Sequence, residues 1–319
     1  MKPLELMPNP EREVDPKSIG VVTTTFYKRW YPGAIRQYSA GQLQNNEVNQ
    51  ERIDKTRGDL ALRMILRANK RGFRVVVIDG GSPATFIEGL KGTEVIVSAE
   101  TEKGMSPSRQ QGFREISGLF GVKVICWSEP EKVSITADCL PQAIIPILKG
   151  EADIVVPKRN EGLFKETYPD YQVRFEQDSN RIWNAILRKY GLRSAEEPDL
   201  DVWFGPKFFR NDPALLSLFT DKYLFVKDPN LNFHKIIKPE LWPNAIFFPV
   251  IAVLHKGFKV ASIEVPYRHP PEQTAIEQDS DEFRRKREIQ QRNIILSSEF
   301  FVRSLLGLKS NTGRINKVS

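Results

Sequence analysis

Two cysteines, Cys126 and Cys139, are too few for a disulfide framework, and they lack metal-ligand spacing. A reducing compartment is the default expectation for such a chain. Three histidines, His234, His255 and His269, are scattered, and no H-E-x-x-H pattern joins any of them, which excludes the common zinc-hydrolase arrangement. Long hydrophobic runs are missing too: the longest, Ala245 to Leu254, is half a membrane span. The opening MKPLELMPNPEREVDPK has no apolar segment of signal-peptide type, so the expected location is cytoplasmic. No G-x-x-x-x-G-K-[ST], no G-x-G-x-x-G after a strand and no G-x-S-x-G elbow occurs, which argues against a P-loop, a dinucleotide fold and a serine hydrolase. Ribonucleoprotein, helix-turn-helix and zinc-finger patterns are also absent, so no nucleic-acid partner is expected.

What is present is globular. Of 319 residues, 40% are apolar and 27% charged, which excludes wholesale disorder and allows one large α/β domain or two ordinary ones. Lys and Arg number 47 against 40 Asp and Glu, a formal charge of +7 that suits an anionic ligand such as a nucleotide, a phosphate or a lipid surface. Residues 1–17, Pro-rich and charged, read as a flexible arm. The β-branched run Ile19 to Phe26 predicts a buried strand, and the polar stretch QYSAGQLQNNEVNQER a long loop. A helix is expected from an Asp54 cap to Lys70, closed by Gly72. Strands follow at Arg74 to Pro83, at TEVIVSAE, at VKVICW and at ADIVVPKR. Ser106-Pro107 reads as the start of a helix that turns Phe113, Ile116, Leu119 and Phe120 inward. Further helices are expected from Arg174 to Tyr190 and around Trp242 to Lys256. Alternating strands and helices predict an α/β fold with a mainly parallel central sheet flanked by helices over 18–275. A basic helix and tail, 276–319, pack on it. That helix carries RRKR beside Phe283 and Ile289, a pattern that also suits peripheral contact with an anionic membrane, although a packed helix with a solvated basic face is favoured.

In an open α/β sheet, ligands bind beyond the carboxyl ends of the strands. There the first run carries Thr23, Thr24 and Thr25, the second ends in Asp79-Gly80-Gly81-Ser82, the fourth in Ser128-Glu129-Pro130-Glu131-Lys132, and the fifth in Lys158-Arg159. Each is also ordinary turn chemistry. Their coincidence on one sheet edge is what points to a site.

The series VVVIDGGSP, GMSPSRQQGF, WSEPEK and DVWFGPKFF resembles, in its order, the GT-A-fold glycosyltransferases, especially the family-2-like group that uses nucleotide-sugars. The resemblance covers about residues 19–275 and implies a Rossmann-like nucleotide-binding half. It implies that Asp79 recognises the nucleotide base, with Thr23 or Thr25 lining the base pocket, and that Arg109 approaches the nucleotide. The acidic motif after the fourth strand falls on Glu129-Pro130-Glu131, where the family has Asp-x-Asp. Glu131 and a late histidine, here His269, would hold Mg²⁺ or Mn²⁺. Glutamate binds hard cations but is one methylene longer, and Lys132, with Arg109 and His269, would offer positive charge to the diphosphate without metal, while Lys158 and Arg159, at a strand end, would meet an anionic acceptor or a donor phosphate. Asp199-Leu200-Asp201 matches the acceptor-side motif, which makes Asp201 the expected base for the acceptor hydroxyl if configuration is inverted, and a residue holding a sugar or acceptor hydroxyl if it is retained.

The expected activity is therefore glycosyl transfer from a UDP- or GDP-linked sugar to a small-molecule, glycan or lipid-linked hydroxyl acceptor, with Asp201 and Glu131 as catalytic residues. Two rivals remain. A sugar-phosphate nucleotidyltransferase would need a Gly-rich, basic loop after the first strand, where TTTFYKRWYPG has one glycine. A non-catalytic GT-A-like binding protein is suggested by the missing aspartates.

Overall fold

The computed structural model describes residues 14–221, 223, 246–278 and 281–308. In chain order the principal elements are β1 (Ile19–Thr25), α1 (Asn46–Lys70), β2 (Arg74–Asp79), β3 (Ile96–Ala99), α2 (Met105–Ser117), β4 (Val124–Trp127) and β5 (Ile154–Arg159). They continue with α3 (Asp170–Lys189), β6 (Lys207–Arg210), α4 (Pro213–Thr220), α5 (Phe248–His255), β7 (Val260–Val265) and α6 (Asp281–Leu305).

Seven strands form one sheet in the order β3-β2-β1-β4-β6-β5-β7. Every pairing is parallel except the two made by β6, which runs antiparallel to β4 and β5. The α/β class with a mainly parallel sheet is thus the observed one. Successive side chains of a strand face opposite sides, and the apolar runs supply both. Val22, Val76, Ile78, Ile125 and Trp127 face one core, closed by Phe113 of α2, Trp183 of α3, Phe219 of α4, Phe248 of α5 and Phe301 of α6. Val21, Val75, Val77, Val124 and Cys126 face the other, closed by Leu60, Met64 and Ile65 of α1. This burial on both faces explains why the strands read as unbroken hydrophobic runs. The C-terminal helix packs as expected, burying Ile294, Ser297, Ser298, Phe301 and Val302. Among the described residues no helix is long and apolar enough to cross a membrane.

Four local expectations need correction. Helix α1 begins at Asn46, where Asn45 Oδ1 accepts from the N–H groups of Glu47 and Val48, so much of the predicted loop is helical. Its first two turns are polar on nearly all sides and give no apolar period. Asp54 lies inside the helix, and its Oδ2 accepts from Arg29 N at 3.0 Å. Helix α2 starts at Met105 with Gly104 at the cap, placing Ser106-Pro107 in the first turn, where proline costs no hydrogen bond. It stops at Ser117, so Phe120 leaves the helical register and is 96% exposed. Helix α3 starts at Asp170, about one turn before Arg174. The arm expected over 1–17 lies outside the described residues up to 13, while Pro16–Ser18 form a 3-10 turn capped by Asp15. The expected helix start at Trp242 is also outside them.

Candidate active site

The chain leaves β1 toward β2 and β3, then returns to add β4 on the other side of β1. Loops therefore diverge beyond β1 and β4, and a crevice opens at that switch point. A cavity of about 970 Å³ lies there, lined by the exits of β1, β2, β3 and β4 and by residues of α1 and α2.

The loop after β1 is fastened to α1. Trp30 Nε1 donates to Asp59 Oδ1 at 2.9 Å, and Asp59 also takes the Lys55 ammonium at 2.7 Å. The Trp30 indole lies so close to Gly58 that any Cβ there would collide with it. This approach sets the neighbouring Arg57 at the cavity wall. Arg57 meets Glu131 Oε1 at 2.7 Å, and Tyr27 donates its hydroxyl to the same oxygen at 2.9 Å. Burial works against the charge of Arg57, and Glu131 outweighs it, raising the pKa. Tyr27 is raised well above the usual phenol range by burial first and then by Glu131, so it stays a donor.

From the opposite wall, Arg109 of α2 lays its guanidinium over the Trp127 ring, 4.5 Å from the centroid. Arg109 is buried, and burial lowers its pKa to about 10 while Glu129 opposes the shift. The Glu129 carboxylate occupies the space beside Gly205, whose φ of +99° and missing Cβ allow it. Its Oε2 is buried with no hydrogen-bond partner among the described residues.

Thr25, Arg109, Glu129 and Glu131 thus share one cavity. Asp79 sits beside it, and its carboxylate holds the local turn: Oδ1 accepts from Thr25 Oγ1 at 2.7 Å, and Oδ2 accepts from Gly81 N and Ser82 N at 2.9 Å each. Thr23, fully buried, ties β1 to the β4 exit through a 3.0 Å bond to the Ser128 carbonyl.

Other expected residues gather in a second, buried cluster outside that lining. Arg159 donates from Nε and a terminal nitrogen to Asp201 at 2.8 Å each, and from the other terminal nitrogen to Glu176 at 2.5 Å. Asp201 also accepts from Asn180 at 2.7 Å. Burial would raise the Asp201 pKa, but Arg159 outweighs it, and the net direction is down. A carboxylate so occupied is a weak proton acceptor, unlike the base expected from the sequence. Lys132 places its ammonium 5.3 Å from the Phe204 ring centroid and 5.6 Å from that of Tyr267. His269 stacks on Tyr168 at 4.0 Å and approaches Glu277 at 3.5 Å, outside the cavity lining that includes Glu129 and Glu131. Burial lowers its pKa against the pull of Glu277. Lys158 is exposed on β5.

Sequence reading missed Tyr27, Arg57 and Lys207. Lys207 is fully buried, and its ammonium donates to the carbonyls of Val202, Gly205 and Pro206 at 3.2, 2.9 and 3.2 Å. Burial lowers its pKa to about 7. An unfolded lysine titrates near 10.4, so between these values the unfolded chain binds the extra proton and stability rises with pH. The rise is expected to be roughly 4 kcal/mol at most. A Lys207→Met variant should lack it, as read by urea denaturation from pH 7 to 10. Parallel stability curves for the two proteins would remove this assignment.

No protein-family model matches the chain, and no curated protein matches it. Solved structures are similar to it in the course of the chain. Glucosyl-3-phosphoglycerate synthase from Mycobacterium tuberculosis is 11% identical, with 92% of this chain and 82% of that one covered and a TM-score of 0.49. The same enzyme with Mn²⁺, UDP-glucose and phosphoglyceric acid is 10% identical, with 92% and 81% covered and a TM-score of 0.47. With Mn²⁺, UDP and glucosyl-3-phosphoglycerate it is again 10% identical, with 92% and 82% covered and a TM-score of 0.46. At such identities and scores, the chemistry of this chain rests on its own residues.

Proposed function

We propose that this chain is a glycosyltransferase that moves a sugar from a nucleoside diphosphate-sugar to a hydroxyl acceptor. The observation that carries the reading is the pair of guanidinium groups, Arg57 from α1 and Arg109 from α2, that face one cavity at the β1/β4 switch point. Breaking the sugar–phosphate bond leaves negative charge on the β-phosphate. Fixed cations in a partly water-excluded crevice stabilise that charge as it develops. Glu131 and Tyr27 hold Arg57 in place, so its position is set before substrate arrives.

Among the described residues, no three His, Cys, Asp or Glu side chains gather into a group that could hold a metal ion. Mg²⁺ at phosphate sites, however, is commonly held by one or two carboxylates plus the phosphates themselves. The unpartnered, buried Oε2 of Glu129 fits that use, with Glu131 as the second carboxylate. His269 does not fit, because it is engaged with Tyr168 and Glu277. Bound there, Mg²⁺ or Mn²⁺ would act as a Lewis acid toward the leaving diphosphate. In this reading Asp201 is a positioning residue for Arg159.

Calorimetry with UDP, GDP and their sugars, with and without Mn²⁺, tests the reading, alongside slow donor hydrolysis. Nucleoside diphosphate binding is expected to strengthen with Mn²⁺ in the native protein and to lose that dependence in Glu129→Ala. Absence of binding to every nucleoside diphosphate would overturn the reading. Turnover of sugar 1-phosphate with a nucleoside triphosphate would favour a nucleotidyltransferase instead.

A further inference from the structure

The cavity has two chemically unlike ends. It runs along the exits of β3, β2, β1 and β4, a span of about 14 Å at the usual spacing between strands. At the β4 end stand Arg57, paired with Glu131, and Arg109 over Trp127. Toward the other end, an aromatic ring from the β1 exit lies against the β2 exit, beside a carboxylate from the β3 exit. Phe26 lines the cavity yet is 54% exposed, with its ring edge against Gly80 and the exposed Lys28 ammonium 5.0 Å from its centroid. Glu100 follows β3 directly, and its backbone N–H donates to the Asp79 carbonyl at 3.0 Å. Its Oε2 accepts from Ser108 Oγ at 3.1 Å, while Oε1 has no partner among the described residues. A Cβ at Gly80 would stand 3.0 Å from Phe26 and 3.3 Å from Glu100 Oε2, so ring and carboxylate flank the same glycine.

We propose that this end takes the base of the donor and that the base is guanine, stacked on Phe26 with its N1–H and N2–H groups donated to Glu100. The assignment rests on the nucleotide-sugar reading above. A diphosphate belongs at the end with the two guanidinium groups, which leaves the aromatic end to the base. Asp79 already accepts three hydrogen bonds from its own neighbourhood, so Glu100 is the carboxylate with an oxygen to spare. A carboxylate offers two adjacent acceptors. Guanine is the common base whose pairing edge offers two adjacent donors. Uracil offers one N–H between two carbonyls, and both carbonyls would face the carboxylate charge. Adenine and cytosine each place an unprotonated ring nitrogen beside the amino group, which repels it likewise.

Titration calorimetry of the full chain with GDP, UDP and ADP under one set of salt and Mn²⁺ conditions tests this. GDP is expected to bind more tightly than UDP or ADP by about tenfold or more, the discrimination typical of one bidentate side chain–base pair. Glu100→Gln, which offers one acceptor and one donor, should weaken GDP, relieve UDP of the carboxylate charge and so remove the preference for GDP. Phe26→Ala should weaken every nucleotide alike, by about fivefold or more, because stacking is indifferent to base identity. Equal or tighter binding of UDP by the native protein, or a GDP preference that survives Glu100→Gln, overturns the guanine assignment and leaves the transferase reading standing. Failure of all three nucleotides to bind overturns both.

Discussion

An Arg159→Ala variant is expected to lose about 3–5 kcal/mol of folding stability, the range for removing one partner of a buried ion pair. Arg159 is 2% exposed and is the cation shared by two buried carboxylates, Asp201 and Glu176. Its guanidinium also lies 3.7 Å from the Phe164 ring centroid, so the truncation removes packing as well as charge. What makes the loss large is the pair of anions left behind, since a buried charge without a counterion is far costlier than the pair was favourable. The triple variant Arg159→Met, Asp201→Asn, Glu176→Gln should therefore recover much of the loss. The pH dependence follows in sign. Asp201 has a folded pKa below its unfolded value near 3.9. Its contribution is present above that value and disappears as pH falls through the folded pKa. The gap between native protein and Arg159→Ala, measured by urea denaturation at pH 7, 5 and 3, should accordingly narrow at the acid end. A loss under 1 kcal/mol at pH 7 would mean that the cluster behaves as an exposed ion pair.

The same cluster shows where sequence reading stops. Val21, Val22, Val75 to Ile78 and Ile125 declared their strands because residues buried on both faces must be apolar at every position. Glu129, Glu131, Thr25 and Arg109 could be located because strand exits in such a sheet meet on one edge. What sequence does not carry is which partner each charged group finds. Asp201 and Arg159 were both visible as site candidates, but their 2.8 Å fork could not be foreseen, because it joins a strand end to a loop after an intervening helix. Arg57 sits in the polar stretch DKTRGD, which reads as a solvated helix face; its partner Glu131 lies 74 residues away, beyond β4. Lys207 hides in the apolar stretch GPKFF, and its burial follows from the carbonyls that curl around its ammonium. Phe120 fails in the other direction: the helical period was right through Ile116, but the helix ended before the fourth apolar position was reached.

The largest effect on turnover is expected at Arg57. Arg57→Ala should lower kcat by about 10²–10³-fold, the usual consequence of removing one fixed donor from a developing oxyanion. In the proposed reading the ground-state diphosphate also meets Arg109, so donor KM should change less than kcat, the pattern of an interaction realised mainly in the transition state. Arg57→Lys keeps the charge but not the planar fork and should recover part of the rate. A structural explanation competes with this one, because Glu131 is 3% exposed and would be left without its cation. The double variant Arg57→Ala, Glu131→Gln, set beside Glu131→Gln alone, separates the two. It removes the stranded charge and keeps a group able to accept from Tyr27, so thermal stability should return toward the native value. If Arg57 acts on the leaving diphosphate, the double variant stays slower than Glu131→Gln alone although the fold has recovered. If the double variant matches Glu131→Gln in both rate and stability, Arg57 serves the fold alone, and the charge that the proposed reaction needs would come from Arg109 and from a metal that Glu129 would hold.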